Sequence, residues 1–307
     1  APASPTCPRP APSCMEIETG EILTPISLAI VLAAAVIHAS WNLLAKQIGG
    51  GAGFVWLVAA VATVIYLPIN FALDTFAHMT WNPTTVFFLL GSGVLQTLYF
   101  VTLQRGYKVG DLSLVYPLAR GTGPLFATLG AILLLGERPS PLALAGAVLI
   151  VGGVFAMSFT GVRGGVAVRA AVGYGLLTGV FIAGYTLWDK VAVGPLAIPP
   201  VLLDTATALV RVVLLLPLAL RRWPEVTTLW RGHAGGLIAV AFLSSLSYIL
   251  VLFVLQTTPV SYVAPLREVS ILIGTVMGAR LLAEGHLRSR LVAASAIVLG
   301  VIAIALG

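Results

Sequence analysis

Two stretches of this sequence place arginine beside proline inside runs that are otherwise apolar enough to span a bilayer: SLVYPLAR at 113–120 and SYVAPLRE at 261–268. Ser113, Val115, Pro117 and Leu118 match Ser261, Val263, Pro265 and Leu266 without a gap, and after a one-residue slip LLLGE at 133–137 faces RLLAE at 280–284. Charge at bilayer depth costs at least ~2.5–3.5 kcal/mol per residue on insertion scales, so its retention points to function. The chemistry available to arginine there is the grip of a carboxylate through its fixed fork of N–H donors. Arg120 has no acidic neighbour in its own helix and is open to a ligand carboxylate, whereas Arg267, followed by Glu268, reads as part of a static network that locks helices together. Pro117 and Pro265 each remove a backbone hydrogen bond and crowd the preceding turn, so both helices are expected to kink or unwind and to serve as hinges. Carbonyls released in hydrocarbon need protein or water partners, and a water-lined cavity supplies them.

Further polar and aromatic groups lie mid-span. His38, Trp41 and Asn42 follow i, i+3, i+4 spacing and share one helix face, as do Gln96 with Tyr99 and Ser245 with Tyr248. Tyr185 and Trp188 form the same kind of pair, and Ser244 adds a hydroxyl. A cavity walled by aromatics with a few convergent polar groups is the usual composition of a ligand site. The competing reading is that the aromatics pack helix to helix and that His38 is a satisfied structural group. Asp204 and Arg211, two turns apart on one face, read as a structural ionic network. Enzyme signatures (HExxH, GxSxG, GxxxxGK[ST]) are missing, and no serine is tied by sequence to His38 as nucleophile to base. Both cysteines, Cys7 and Cys14, lie in the Pro/Ala/Ser-rich start, so no thiolate metal site is expected. The expectation is no catalytic residue, no metal and no cofactor.

The elements that position these groups follow from composition. The chain is 59% hydrophobic and 9% charged, against about a quarter charged in soluble domains, and its mean hydropathy is +1.03. That excludes an ordinary soluble fold. The net charge of +6 comes from 17 scattered basic residues that form no phosphate-tracking stripe, which excludes a nucleic-acid partner. Apolar runs of spanning length fall near 24–45, 51–73, 84–107, 111–135, 140–160, 170–191, 198–220, 234–257, 259–283 and 287–306. Residues 1–20 read as a disordered tail, with 1–14 as a non-native segment before Met15. The first apolar run is long enough to span and ends at Lys46 without a cleavage-type site, so it reads as a span rather than a leader.

The repeat reaches beyond the opening motif: SWNLLAK at 40–46 faces GYTLWDK at 184–190 at an offset of 144, close to the 147–148 of the other pairing. Two units result, 21–165 and 166–307, of five spans each. A unit with an odd number of spans starts and finishes on opposite sides of the membrane, so its second copy runs upside down. The expected fold is thus an all-α polytopic membrane protein of ten transmembrane helices, two inverted five-helix repeats around a central cavity, an arrangement suited to alternating access. Spans 5 and 10, rich in small residues and without internal charge, read as scaffold or a dimer contact, so the chain is a monomer or homodimer. Trp81, Trp223 and Trp230 sit in connectors and read as interfacial anchors.

HASWNLLAK in span 1 and TTPVSYVAPLREVSILIGTVMGARLLAE across 257–284 resemble the EamA branch of the drug/metabolite transporter superfamily. The resemblance covers residues 24–306, with a Gly-Glu or Ala-Glu before the last helix of each half. It implies a basket of helices in which spans 1, 3, 4, 6, 8 and 9 line a cavity and spans 5 and 10 buttress it, in an exporter of amino acids and related metabolites. Small four-span members of the superfamily use a first-helix glutamate for proton-coupled cation export. Span 1 here has no carboxylate, and span 6 has Asp189 only at its end, which disfavours a drug-cation antiporter.

The reading is an inner-membrane exporter of small zwitterionic or amphipathic metabolites, amino acids above all, with lipid and a small-molecule substrate as its partners. Trp41, Tyr99, Tyr185, Trp188 and Tyr248 wall the cavity, and His38, Asn42, Gln96 and Ser245 supply hydrogen bonds. Arg120 or Arg267 holds the carboxylate. The alternatives are a sugar-phosphate or nucleotide-sugar exchanger, which needs several convergent cations, and a non-transporting membrane scaffold or enzyme. Loops joining odd to even spans carry eleven basic residues against three on the other side, which places them in the cytoplasm and both termini outside. A reporter fused after Gly307 is expected to be active only if it works outside the cytoplasm; activity of a cytoplasm-dependent reporter there reverses the assignment.

Overall fold

The computed structural model describes residues 23–49, 51–77, 79–109, 112–158, 166–273 and 287–307, and within them all side chains but those of 112–114, 116–117, 157–158, 166–168 and 287–294. The described residues form helices and connectors, with no strand among them. The helices are α1 (Pro25–Ile48), α2 (Ala52–Ala72), α3 (Pro83–Val109), α4 (Leu112–Leu134), α5 (Pro141–Ser158), α6 (Val166–Val193), α7 (Pro200–Arg221), α8 (Trp223–Thr257), α9 (Val260–Leu266) and α10 (Leu287–Leu306). Six of them hold segments long and apolar enough to cross a membrane: α1, α2, α3, α6 from Arg169, α7 and α8. Three shorter apolar helical segments cover Leu118–Leu134, Pro141–Ala156 and Ser295–Leu306.

Local chemistry sets the helix ends. Thr24 caps α1, its Oγ1 accepting from the Ser27 amide at 3.1 Å, with Pro25 preset for the first turn. The helix stops at Gly49, whose φ of 99° only glycine adopts without strain. Glu137, in the connector after α4, caps α9: it accepts from the Val260 amide at 2.7 Å, the Ser261 amide at 2.9 Å and the Ser261 hydroxyl at 2.6 Å. A carboxylate there also meets the positive end of the helix dipole. Conversely, Lys190 donates to the carbonyls of Leu255 at 2.7 Å and Thr258 at 3.1 Å, at the negative end of α8. α8 bends at His233, where φ and ψ are −140° and 26°. Its first part carries exposed Trp223 and Trp230, which with exposed Trp81 agrees with interfacial anchoring.

The two Pro-Leu-Arg copies differ, and only the second breaks as expected. Span 4 does not unwind: α4 is helical throughout Leu112–Leu134, across Pro117 and Pro124. The side chain of Pro117 lies outside the described residues. Span 9, in contrast, is not one helix. α9 ends at Leu266, one residue after Pro265, and the chain turns through Arg267 and Glu268 before resuming as helix at 269–273. The reason is the ladder after the proline. Glu268 bonds back to Pro265 at 3.0 Å, Ser270 to Arg267 at 3.2 Å and Ile271 to Glu268 at 2.9 Å, a tightened three-residue spacing rather than the four of an α-helix. The rest of span 9, from 274, lies outside the described residues.

The helices pack in matching pairs. α1 lies along α8 as α6 lies along α3, and α2 crosses α8 as α7 crosses α3. α2 meets α7, α4 meets α9, and α5 meets α10. Exchanging each helix for the one five further on maps these contacts onto one another, while the extensive α4–α6 contact has only a slight counterpart between α9 and α1. The α5–α10 contact is close: a Cβ on Gly146 would fall 2.6 Å from the carbonyl oxygen of Gly300, and a Cβ on Gly300 2.6 Å from that of Gly146. Small residues permit this approach, which in lipid is driven by packing rather than by the hydrophobic effect. Gly146→Leu and Gly300→Leu are therefore expected to lower the thermal unfolding midpoint in detergent, since overpacking costs ~1–3 kcal/mol. Gly152→Leu, whose Cβ meets nothing within 4 Å, is expected to leave it in place.

Candidate functional site

Two buried polar clusters stand inside the bundle. The first joins α1, α4 and the turn after α9. Arg120 Nε lies 3.2 Å from Glu268 Oε2, with their side chains 8% and 4% exposed. Arg120 Nη2 lies 3.1 Å from His38 Nε2 and donates to Ser270 Oγ at 3.3 Å. Arginine can only donate, so His38 Nε2 accepts and the imidazole proton sits on Nδ1. Trp41 stands edge-on to His38 with ring centroids 4.9 Å apart, its buried indole N–H without a partner among the described residues. Asn42 is turned back onto its own helix, donating to the His38 carbonyl at 2.7 Å.

This overturns one expectation directly. Arg120 does have an acidic partner, and it is Glu268. The sequence pairs Glu268 with adjacent Arg267, but neighbours on a turn point in different directions. In the ungapped alignment of the two motifs, residue 120 corresponds to residue 268. The equivalent positions of the two copies thus meet where α4 crosses α9, one carrying a cation and the other an anion.

The second cluster joins α3, α6, α7 and α8. Asp189 Oδ2 accepts from the Gln96 amide at 3.3 Å and from the Tyr248 hydroxyl. Gln96 Oε1 accepts from Arg211 Nη2 at 2.8 Å, so the amide bridges carboxylate and guanidinium. Arg211 also stacks over Phe100 at 4.6 Å. Ser245 stands beside Asp204 and Ser92 beside Asp189, and Ser92 Oγ lies 3.0 Å from the Thr207 hydroxyl. Asp204 and Arg211, expected to form a structural ionic network, make no direct ion pair among the described residues; Arg211 bonds Gln96, which in turn bonds Asp189. Tyr185 stands between Tyr99 and Tyr248, at centroid distances of 5.8 and 6.1 Å.

Arg267 lies between the clusters. It is half-buried and its side chain makes no hydrogen bond or ion pair among the described residues; its guanidinium carbon stands 5.4 Å from the Tyr248 ring centroid. The roles expected of the two arginines are therefore exchanged: Arg120 is held and Arg267 is open. Pro265 ends α9 immediately ahead of it and so aims it into the bundle.

Of the other expected wall residues, Tyr99, Tyr185, Tyr248, Gln96 and Ser245 converge on the second cluster, and His38 and Trp41 on the first. Trp188 does not join them. It packs on α3, donating to the Phe88 carbonyl at 2.9 Å, with its ring 4.5 Å from Phe88 and 5.1 Å from Phe87. Sequence reasoning missed Asp189, placing it at a span end; α6 continues to Val193 and Asp189 is wholly buried. The available signal was its place four residues after Tyr185, on the face that looks inward. Two grooves lie away from both clusters: an apolar one of about 400 Å³ lined by Leu57, Val61, Val64, Ile65, Trp230 and Ile238, and one of about 140 Å³ lined in part by Asn82 and Thr85.

Residues 25–159 match the EamA-like transporter family. No curated protein matches the sequence. A solved structure titled only "Crystal structure of protein" aligns with a TM-score of 0.75 over 91% of this chain and 96% of its own, at 15% identity, a likeness that shows the fold alone.

Removing one partner of a buried ion pair leaves the other uncompensated, at ~3–5 kcal/mol, whereas an apolar replacement of both is close to neutral. Glu268→Leu and Arg120→Met are thus each expected to lower the unfolding midpoint sharply in detergent. The double variant Arg120→Met/Glu268→Leu is expected to recover most of the loss, and additive losses in this cycle would show that the two side chains do not act as a pair.

Proposed function

We propose that this membrane transporter exports small carboxylate-bearing metabolites, amino acids with aromatic or amphipathic side chains above all, by alternating access, with Arg267 as the residue that grips the carboxylate. The observation that carries the reading is the state of Arg267: a guanidinium inside an apolar bundle, over the Tyr248 ring and with no ion-pair contact among the described residues. A cation so placed needs a counter-anion. A substrate carboxylate supplies one, and Tyr248, Tyr185 and Tyr99 offer aromatic surface beside it. His38 and Trp41 border the same region from α1, while Arg120 holds the floor.

The remaining architecture is proposed on the same footing. Ten spans in two inverted repeats, 21–165 and 166–307, account for helix pairs that map onto themselves when exchanged five on. They also account for the meeting of equivalent residues 120 and 268. Between inward and outward states the break after Pro265 serves as a hinge, and Pro117 holds the corresponding place in α4. The location is the inner membrane, with both termini on the non-cytoplasmic side. A phosphate or nucleotide-sugar substrate fits less well, because Arg120 is held by Glu268 and Arg211 by Gln96, which leaves Arg267 alone of these three open among the described residues, where a phosphate needs several cations.

The test is flux of a panel of labelled amino acids, phenylalanine and tryptophan included, in proteoliposomes containing the full chain. At least one is expected to move. Arg267→Ala is expected to weaken its apparent affinity by roughly 10- to 100-fold, the ~1.5–3 kcal/mol of a hydrogen bond to a charged group. No flux of any amino acid removes the substrate class; flux indifferent to Arg267→Ala removes the site.

A further inference from the structure

The second cluster has more anionic charge than its own cation balances. We propose that Asp189 and Asp204 together hold one proton, and that this proton moves in the same direction as the substrate carboxylate; the second clause rests on the reading of Arg267 given above.

Asp189 is 0% and Asp204 8% exposed, so neither carboxylate is hydrated. Asp189 Oδ2 accepts from Tyr248 and Gln96, but Oδ1 has no partner; Asp204 has Ser245 beside it, but its Oδ2 has no partner. Arg211 spends its bond on Gln96 Oε1, and its buried Nε is likewise unpartnered. With both carboxylates ionised, the cluster holds two negative charges against one positive. An uncompensated ion in such a place costs several kcal/mol. Adding a proton to a carboxylate costs ~1.4 kcal/mol for each pH unit that separates the group from its surroundings. Two carboxylates in one site ionise in turn rather than together, so one proton is retained. It converts one carboxylate to a carboxyl group, which restores neutrality with Arg211.

Other titratable groups also face the cluster, among them Tyr66 of α2, which lies near Asp204 and whose hydroxyl donates to the Phe242 carbonyl at 2.9 Å. On α6, Tyr185 lies one turn before Asp189, and Lys190 turns away to the carbonyls of Leu255 and Thr258. From α3 come Tyr99 and the neutral Ser92 and Gln96, and from α8 Tyr248. α4 carries Arg120, tied to Glu268 and His38. There remains Arg267, which reaches the cluster through Tyr248: the hydroxyl of that tyrosine donates to Asp189 while its ring lies under the guanidinium. Arg267 is thus the second cation that favours ionised Asp189. A carboxylate bound at Arg267 cancels its field, and the proton is then held more tightly. By reciprocity the proton strengthens carboxylate binding by the same factor. Cooperative binding on one face and joint release on the other is co-transport.

The test has two arms on the full chain in lipid. In infrared difference spectra between acidic and alkaline buffer, the carbonyl stretch of a protonated carboxyl group should be present at neutral pH. It should be lost in both Asp189→Asn and Asp204→Asn, because either isosteric change leaves one carboxylate balanced by Arg211. A wild-type protein without that band, or a band unchanged in both variants, overturns the proposal. In the second arm, labelled phenylalanine is moved across vesicles loaded with a pH-sensitive dye. Protons should travel with phenylalanine, and the pH change per phenylalanine moved should vanish in Asp189→Asn. No proton movement, or movement in the opposite direction, overturns the coupling. If phenylalanine is not moved at all, the substrate reading fails while the infrared arm still decides whether the proton is there.

Discussion

The constraint on which this structure depends is that a charge in the bilayer core must be answered by a partner, and that a helix offers few partners along its own length. Arg120 is answered from the far side of the bundle by Glu268, with His38 and Ser270 completing its donors. The pair ties α1, α4 and the turn beyond α9 into one unit. Without it, α4 would bury a guanidinium against hydrocarbon, and the crossing of α4 and α9 at the centre would be the costliest contact in the fold. Because both members are nearly sealed from solvent, the pair is weak evidence for net stability and strong evidence for register: only one meeting of the two helices satisfies it.

The two Pro-Leu copies show how a repeat diverges into distinct parts. Pro117 and Pro265 each stand five residues after the start of their helices, yet α4 continues and α9 stops. Beyond the break, successive three-residue hydrogen bonds let Arg267 and Glu268 take separate directions. Glu268 goes to Arg120, and Arg267 goes over Tyr248. A continuous helix would turn consecutive side chains by a fixed step, so the broken turn is what allows one residue to close the core and its neighbour to remain open.

Tyr248 gives the two clusters a shared element. Its hydroxyl belongs to the Asp189 network and its ring to Arg267, so any change in one is felt at the other without a long pathway. Around it, Gln96 links carboxylate to guanidinium across α3, α6 and α7. An interior built this way is polar in a narrow band and apolar above and below it. That is the composition expected where a bundle must admit a small charged molecule and still pack in lipid. The α5–α10 crossing is packed closely at Gly146 and Gly300.

The sequence by itself determined the class of the protein and most of its elements. Length of apolar run, loop punctuation and scarcity of charge mark helices that need no knowledge of their neighbours, and most boundaries expected from them lie within a few residues of those found. It also identified Arg120, Arg267, Gln96, Tyr185 and Tyr248 as unusual, since a polar group in an apolar run is visible in one dimension. What only the tertiary structure decided is which of them are satisfied. Adjacency set Arg267 beside Glu268, and spacing set Asp204 with Arg211 on one face, but the partners found come from other helices, 59 to 150 residues away in the chain. Trp188 looked inward by type and turned to α3, and Asp189 looked peripheral by position and proved buried. Pairing is a property of faces and crossings, and a linear pattern records the first of these only in part and the second not at all.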